Sequence, residues 1–266
     1  MNAAASRNVR RYGAVNGLGL WTLYLKEVRR FLKVFTQTIL APMVTTLLFL
    51  AIFTLALGKT AEIGGVPYAQ FLAPGLVMAA VMQQSFANTS SSILIGKIQG
   101  NIVDILMPPL SAAELTVGIA LGGMTRGLLV AIATVAALVP FVRMHVADLG
   151  SILFFGGAGA LLMSLIGIAA GIWSEKFDHL AAVTNFVVTP LAFLSGTFYS
   201  VDALPPFWHD VAHANPFFYL IDGFRSGFTG TAEALHLDGA LVMLAANGAL
   251  GLLCYAMFAR GYKLKV

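Results

Sequence analysis

The feature that most constrains this chain is a series of long stretches almost without charge. Val34–Gly58 and Ile63–Gly96 carry no charged side chain, and further apolar runs are bracketed by Asp148 and Lys176, by His179 and Asp202, and by Asp238 and Arg260. A sixth run, between Glu114 and Arg143, is interrupted only by Arg126. A helix needs about 20 mostly apolar residues to cross about 30 Å of hydrocarbon. Backbone groups in lipid must be paired within their own segment, so such runs read as helices. The expected spans are residues 37–58, 70–93, 113–140, 150–172, 180–199 and 239–259. The fold class is therefore an all-α integral membrane protein with six transmembrane helices in a single transmembrane domain, residues 1–266.

Composition agrees: 58% of residues are hydrophobic and 11% charged, where a soluble domain carries about 25% charged residues. That is too little charge to cover a surface in water. Nucleic acid is not an expected partner, because no basic face is clustered on a soluble module. The single cysteine, Cys254, lies in an apolar run and reads as a small buried hydrophobe. Arg7, Arg10 and Arg11 are followed by a long apolar run only after Lys33, so no cleavable leader is expected.

Loop charge predicts orientation. With the amino terminus inside, the inner segments hold Arg7, Arg10, Arg11, Lys26, Arg29, Arg30, Lys33, Lys97, Lys176, Arg260, Lys263 and Lys265, and the outer ones only Lys59, Arg143 and Arg225. That asymmetry places both termini in the cytoplasm.

Residues 1–36 are expected to form a cytoplasmic tail and an interfacial helix. Trp21, Tyr24, Leu25, Val28, Phe31, Leu32 and Phe35 recur at helical spacing, with Lys26, Arg29, Arg30 and Lys33 nearly opposite. A basic amphipathic helix of this kind lies in the headgroup layer with its cations towards anionic lipid, which makes membrane lipid a partner. Its candidate functional residues are Trp21, Lys26, Glu27, Arg29 and Arg30. Residues 94–112 form a second cytoplasmic feature: the chain leaves a span, makes a short helix and stops at Pro108-Pro109. A docking helix and a mere connecting turn both fit that pattern. Residues 200–238 form an external segment studded with Phe207, Trp208, Phe217, Phe218, Tyr219, Phe224 and Phe228, which suggests short re-entrant helices. Gly118/Gly122, Gly123/Gly127 and Gly167/Gly171 have the spacing that lets helix backbones approach closely, each a weak pointer to a dimer face.

Catalytic and metal chemistry find little support. Gly58-Lys59-Thr60 looks like the end of a phosphate-binding loop, but the required upstream glycine is Phe53, so no ATP site, no cofactor and no enzymatic activity are expected in this chain. His209 and His213 have the spacing of a zinc-binding helix, but Asp210 stands where glutamate is needed, and only the remote His236 could be a third ligand. Ser164 and Ser195 have no histidine or lysine in the spans to activate them. No Asp or Glu falls at the centre of a span, which disfavours a secondary, ion-coupled transporter, the alternative reading. Arg126 either snorkels to the cytoplasmic face or serves a subunit interface or transport path.

One ordered set of residues resembles the ABC-2 type permeases. It runs Phe193-Leu194-Ser195-Gly196-Thr197-Phe198-Tyr199, Leu204-Pro205, Trp208, Asn215-Pro216-Phe217 and Asp222-Gly223-Phe224-Arg225. In that family a serine–glycine element ends the fifth span, and an L-P pair, an N-P pair and a nearby arginine follow. The resemblance implies a homodimer or heterodimer of permeases in the bacterial inner membrane, with two copies of a separate ATPase subunit that binds the ATP. It implies that Asn101, Ile102, Val103, Asp104, Ile105 and Leu106 form a helix coupled to that ATPase. The implied function is export of an amphiphile, glycan, glycolipid or drug.

Overall fold

In the computed structural model, residues 15–57, 62–232, 234 and 236–264 are described. Arg7, Arg10, Arg11, Lys59, Lys265 and the Gly58-Lys59-Thr60 element lie outside them. Eleven helices follow one another among the described residues: α1 Gly17–Leu32, α2 Ala41–Leu57, α3 Tyr68–Ile98, α4 Ile102–Leu106, α5 Ala112–Leu138, α6 Leu149–Trp173, α7 Phe177–Val183, α8 Thr189–Leu194, α9 Pro206–His213, α10 Pro216–Thr229 and α11 His236–Ala259. A π-turn at Thr36–Leu40 leads into α2, and another at Thr184–Val188 joins α7 to α8. A two-stranded antiparallel hairpin, β1 Glu62–Ile63 and β2 Val66–Pro67, precedes α3. Gly64 and Gly65 supply the positive φ its tight turn needs.

Local chemistry sets the helix starts. Ser111 and Glu114 form a reciprocal capping box at α5, and the Asp148 carboxylate accepts from Gly150 N and Ser151 N at α6. Asn215 caps α10, with Pro216 in the first turn, where its missing N–H costs nothing.

Among the described residues, five segments are long and apolar enough to cross a membrane: Thr36–Ala56, Ala112–Leu138, Leu149–Trp173, Phe177–Leu194 and Leu237–Ala259. The expected span at 70–93 falls within α3, which has 31 residues but carries Gln83, Gln84, Ser85, Asn88, Thr89, Ser90, Ser91 and Ser92 and so is not among the five. The reason is its position. α3 is the central helix, packed against α5, α6, α10 and α2, and Ser85, Asn88, Thr89, Ser90 and Ser92 are all buried. A helix surrounded by protein can be polar, because its partners and not lipid satisfy its side chains. Thr89 Oγ1 donates to Ser164 O at 2.8 Å, and Ser90 Oγ donates back to Phe86 O at 2.7 Å.

The paired glycines make this packing close. A Cβ on Gly123 would lie 2.5 Å from Ser164 Oγ, and one on Gly167 would lie 2.6 Å from Phe86 O. A Cβ on Gly122 would lie 2.5 Å from Glu27 Cβ. In this chain these glycines serve seams between its own helices.

The bundle has two distinguishable ends. At one, α4 follows α3, Lys97 Nζ donates to Ile172 O and Ser174 O at 2.6 Å each, and Lys263 pairs with Glu175 at 2.8 Å. At the other lie the hairpin, the start of α6 and the end of α10. α10 runs antiparallel to the first half of α6: Gly227 abuts Ile152, Gly223 abuts Phe155, and Leu220 lies by Gly159. Almost every residue of α10 from Phe217 to Phe228 is buried.

Candidate functional site

The residues singled out in the sequence fall into three groups. The first is at the α4 end. Ile102 and Ile105 are buried with Leu23, Ile93 and Leu115, while Asn101, Asp104 and Met107 are exposed and Val103 is half-exposed. Leu106 is half-buried. α4 is thus a short knob, rooted on one side and bare on the other. Its exit is tied to the start of α1: Asn16 N donates to Glu114, Asn16 Nδ2 donates to Pro109 O at 3.1 Å, and Asn16 Oδ1 accepts from Gly19 N at 3.0 Å.

The second group lies on α1, which has three sides. Lys26, Arg29 and Lys33 are exposed on one side, and Trp21 and Leu32 on another. The third side runs alongside α5, with Leu23 against Gly118, Glu27 against Gly122 and Tyr24 Oη 3.0 Å from Thr125 Oγ1. A two-sided wheel places Arg30 with the outward cations, and the structure corrects this. Its guanidinium reaches α3, donating to Asn88 O, to Asn88 Oδ1 at 3.0 Å and to Ser91 Oγ at 3.1 Å. Glu27 is fully buried: one carboxylate oxygen accepts from Ser92 Oγ at 2.7 Å and the other from Arg30 at 3.2 Å. The cause is local. Glu27 sits on the packed side one turn before Arg30, so pairing with it turns Arg30 inward and offsets the cost of burying the carboxylate. The sequence marks both residues but not their direction. The i, i+3 pairing of Glu27 with Arg30 beside a GxxxG seam is the signal that could have given it.

The third group is the ordered signature, which converges at the hairpin end. Ser195 Oγ donates to Ala192 O, and Thr197 Oγ1 donates to the same carbonyl at 3.1 Å, ending α8. Gly196 takes φ +73°, and its carbonyl accepts from Arg225. The Arg225 guanidinium lies 3.8 Å from the centroid of the Phe71 ring, and Tyr68 Oη donates to Phe198 O at 3.0 Å. A Cβ on Gly75 would lie 2.6 Å from Thr197 O, so α3 must be bare there. Asn215 Nδ2 donates to Leu191 O at 2.7 Å, Asp222 Oδ2 accepts from Ala234 N at 3.0 Å, and Pro205 immediately precedes α9. Gly196, Asn215 and Arg225 thus brace α3, the end of α8 and α10 together, while Ser195 closes α8 and Asp222 ties α10 to the segment before α11. The braces at Tyr68, Phe71 and Gly75 carry no sequence signal, because each is an ordinary residue of an apolar run.

Between α2, α3 and the α7–α8 arm runs a groove of about 350 Å³. Thr45, Thr46, Gln83, Gln84, Thr189 and Thr197 give it polar positions, and Phe49, Phe86, Phe193 and Phe198 give it aromatic walls. It continues into an aromatic cleft of about 590 Å³ that shares Phe49, Phe193 and Phe198 and adds Trp208. Phe198 packs with Phe53 at 5.1 Å and Phe193 at 5.6 Å between ring centroids. Near the middle of α5, Arg126 donates to Gln84 Oε1.

Comparisons with known proteins agree with this picture. A family model for the ABC-2 type transporter matches residues 19–229. The inner membrane transport permease YadH of Escherichia coli K12 is 34% identical over 249 residues, which cover 93% of this chain and 97% of that protein. Nodulation protein J of Rhizobium leguminosarum bv. viciae is 26% identical over 225 residues, covering 82% of this chain and 84% of its own. The fold and site define a multi-pass helical membrane protein of permease type. The chain belongs to the ABC-2 type transporter family.

Proposed function

We propose that this chain is the translocation subunit of an ATP-driven exporter in a bacterial inner membrane, with hydrolysis in a separate ATPase subunit. The observation that carries the reading is α4. A five-residue helix rooted by Ile102 and Ile105 and bare at Asn101, Val103, Asp104 and Met107 has the shape of a docking knob. It stands at the end of the bundle where Lys97 and Lys263 gather beside Glu175, which the charge asymmetry assigns to the cytoplasm. Its tie through Glu114 and Asn16 gives a push on α4 a route to α1 and α5.

The chain crosses the bilayer six times in this reading, with α3 as the protein-enclosed crossing. α9 and α10 form the external re-entrant segment, because α10 begins beside the middle of α6 and climbs to its start. The groove between α2, α3 and α8 is one half of the path, and a second copy of the permease closes it. Its mixed polar and aromatic lining suits an amphiphile. Nucleotide binding in the partner closes one end of the path and opens the other, provided the two states bind the partner differently.

The test is co-purification of the chain with a co-expressed ATPase subunit of an ABC exporter from the same cell. Wild-type chain retains the ATPase. Replacing Val103 and Asp104 by Arg lowers retention about tenfold, the cost of charge reversal in one small contact, while membrane insertion is unchanged. Normal binding and transport by that variant would remove α4 from the coupling role.

A further inference from the structure

Two walls of the groove share a short sequence pattern. Residues 36–42, TQTILAP, lead into α2, and residues 184–190, TNFVVTP, lead into α8. Each runs threonine, an amide side chain, four uncharged residues and proline. Each forms a π-turn, and among the described residues these are the two π-turns. In both, the residue just before the proline donates the wide bond: Ala41 N to Thr36 O, and Thr189 N to Thr184 O. Pro42 and Pro190 have no N–H to offer the carbonyls of Thr38 and Phe186, four residues back, and their rings crowd those carbonyls. Widening the turn by one residue relieves that crowding.

Proline alone does not dictate a π-turn, because Pro74 lies inside α3 without one. The difference is packing. Pro74 is buried in the central helix, whereas the groove walls are thinly covered. Val44, Leu48 and Leu55 of α2 are exposed, α7 buries no residue, and Phe186 and Val187 are exposed within the second turn. Each π-turn also marks a boundary. Beyond it the wall is tied to the hairpin end: Phe49 and Phe53 of α2 pack against Phe198 at 6.2 and 5.1 Å between ring centroids, and Leu191 O of α8 accepts from Asn215. Before it lie α7 on one wall and, on the other, α1, which Asn16 ties to the exit of α4. Ala41 and Pro42 from the first turn and Thr184, Val188 and Thr189 at the second line the groove.

We propose that the two π-turns are paired hinges that work the mouth of the groove. α1 and α7 tilt about them while α2 and α8 stay with the cap at the hairpin end, so the groove opens and closes at its end away from that cap. The proposal rests on the groove being the transport path and adds how that path is gated. A hinge is a few residues that absorb a change of direction between two packed pieces. A π-turn supplies them, since a bond that moves from the fifth to the fourth carbonyl back redirects the helix. Proline keeps the narrow form from becoming permanent, because the next bond of a regular ladder cannot form.

The test is hydrogen exchange, read by mass spectrometry, of the full chain in phosphatidylcholine nanodiscs without an ATPase. In wild type, residues 36–42 and 184–190 exchange about tenfold faster than residues 158–168 in the middle of α6. Pro42→Ala returns an N–H to Thr38 O, and Pro190→Ala returns one to Phe186 O. Each slows exchange about tenfold in its own segment and leaves the other unchanged. Spin labels on Val44→Cys and Phe177→Cys, both exposed positions, in a Cys254→Ala background diluted with unlabelled chain, read the distance from α2 to α7. The distribution is broad in wild type and narrows with Pro190→Ala. Slow exchange at both segments in wild type overturns the hinges without recourse to any variant. Water reaching a rigid turn would leave exchange unchanged in both proline variants, and that result overturns them too, as does an unchanged distance distribution. Because no ATPase is present, the two failures separate. Slow exchange in a chain that retains the ATPase sinks the hinges alone, and fast exchange in a chain that does not retain it sinks the exporter reading alone.

Discussion

At the scale of single residues, the sharpest constraints are on atoms that leave no room. Gly75 faces Thr197 O so closely that a methyl group would stand 2.6 Å from it, and backbone cannot give way as a side-chain tip can. Gly75→Ala should therefore cost about 1–3 kcal/mol, the usual range for overpacking. Thermal unfolding in detergent reads this, and an unshifted Tm would show that the α8 loop relaxes freely. Glu27 is constrained by charge. Removing it in Glu27→Ala leaves Arg30 inside the seam without its carboxylate, which should cost about 2 kcal/mol, less than a fully buried pair because Arg30 keeps some water contact. Glu27→Gln retains an acceptor for Ser92 and should cost less. Equal loss in both variants would mean that packing against Gly122, and not charge, is what Glu27 supplies.

At the scale of elements, the closing turn after α11 offers a pH signature. The hydrogen bond from Lys263 holds the Glu175 carboxyl below its usual range, and the same bond raises the Lys263 ammonium. A depressed carboxylate contributes stability above its unfolded pKa and loses it as pH falls through the folded one. A raised ammonium contributes below its unfolded pKa and loses it as pH rises through the folded value. The difference in Tm between wild type and Glu175→Gln should therefore be constant between about pH 5 and 10 and disappear in acid. A difference that persists in strong acid would assign the effect to something other than this pair.

Elements also divide what a sequence can reveal from what it cannot. Absence of charge located α2, α5, α6, the α7–α8 arm and α11 within a few residues, because lipid contact excludes charge from such helices. The uncharged run 63–96 also coincides with α3, which is not among the candidate spans, because burial against α5 and α6 tolerates serine and asparagine but not unpaired charge. The direction of Arg30 was not legible. A helical wheel separates polar from apolar faces but cannot say that α5 covers the side between them. The glycine pairs were legible as close approaches, though their partners were not, since spacing is the same whether the facing helix belongs to this chain or to another. At the signature, the order of residues pointed to one site, but the bracing by Phe71 and Tyr68 requires three-dimensional neighbours.

At the scale of the whole molecule, the two ends are built for different tasks. The hairpin end is cross-braced through Arg225, Gly196, Tyr68 and Asn215, and the other end presents a bare knob tied by hydrogen bonds to α1 and α5. A groove with polar and aromatic walls runs from the middle of α3 to the hairpin end. That arrangement suits a body in which a push at one end tilts helices against a fixed cap, with the energy supplied from outside the chain. The most direct measurement is uptake of a labelled amphiphile into inverted vesicles that hold the chain and the proposed ATPase partner. Uptake should require ATP, stop when the ATPase is omitted, and be indifferent to a proton gradient. Uptake by the chain alone, driven by a proton gradient without ATP, would contradict the account.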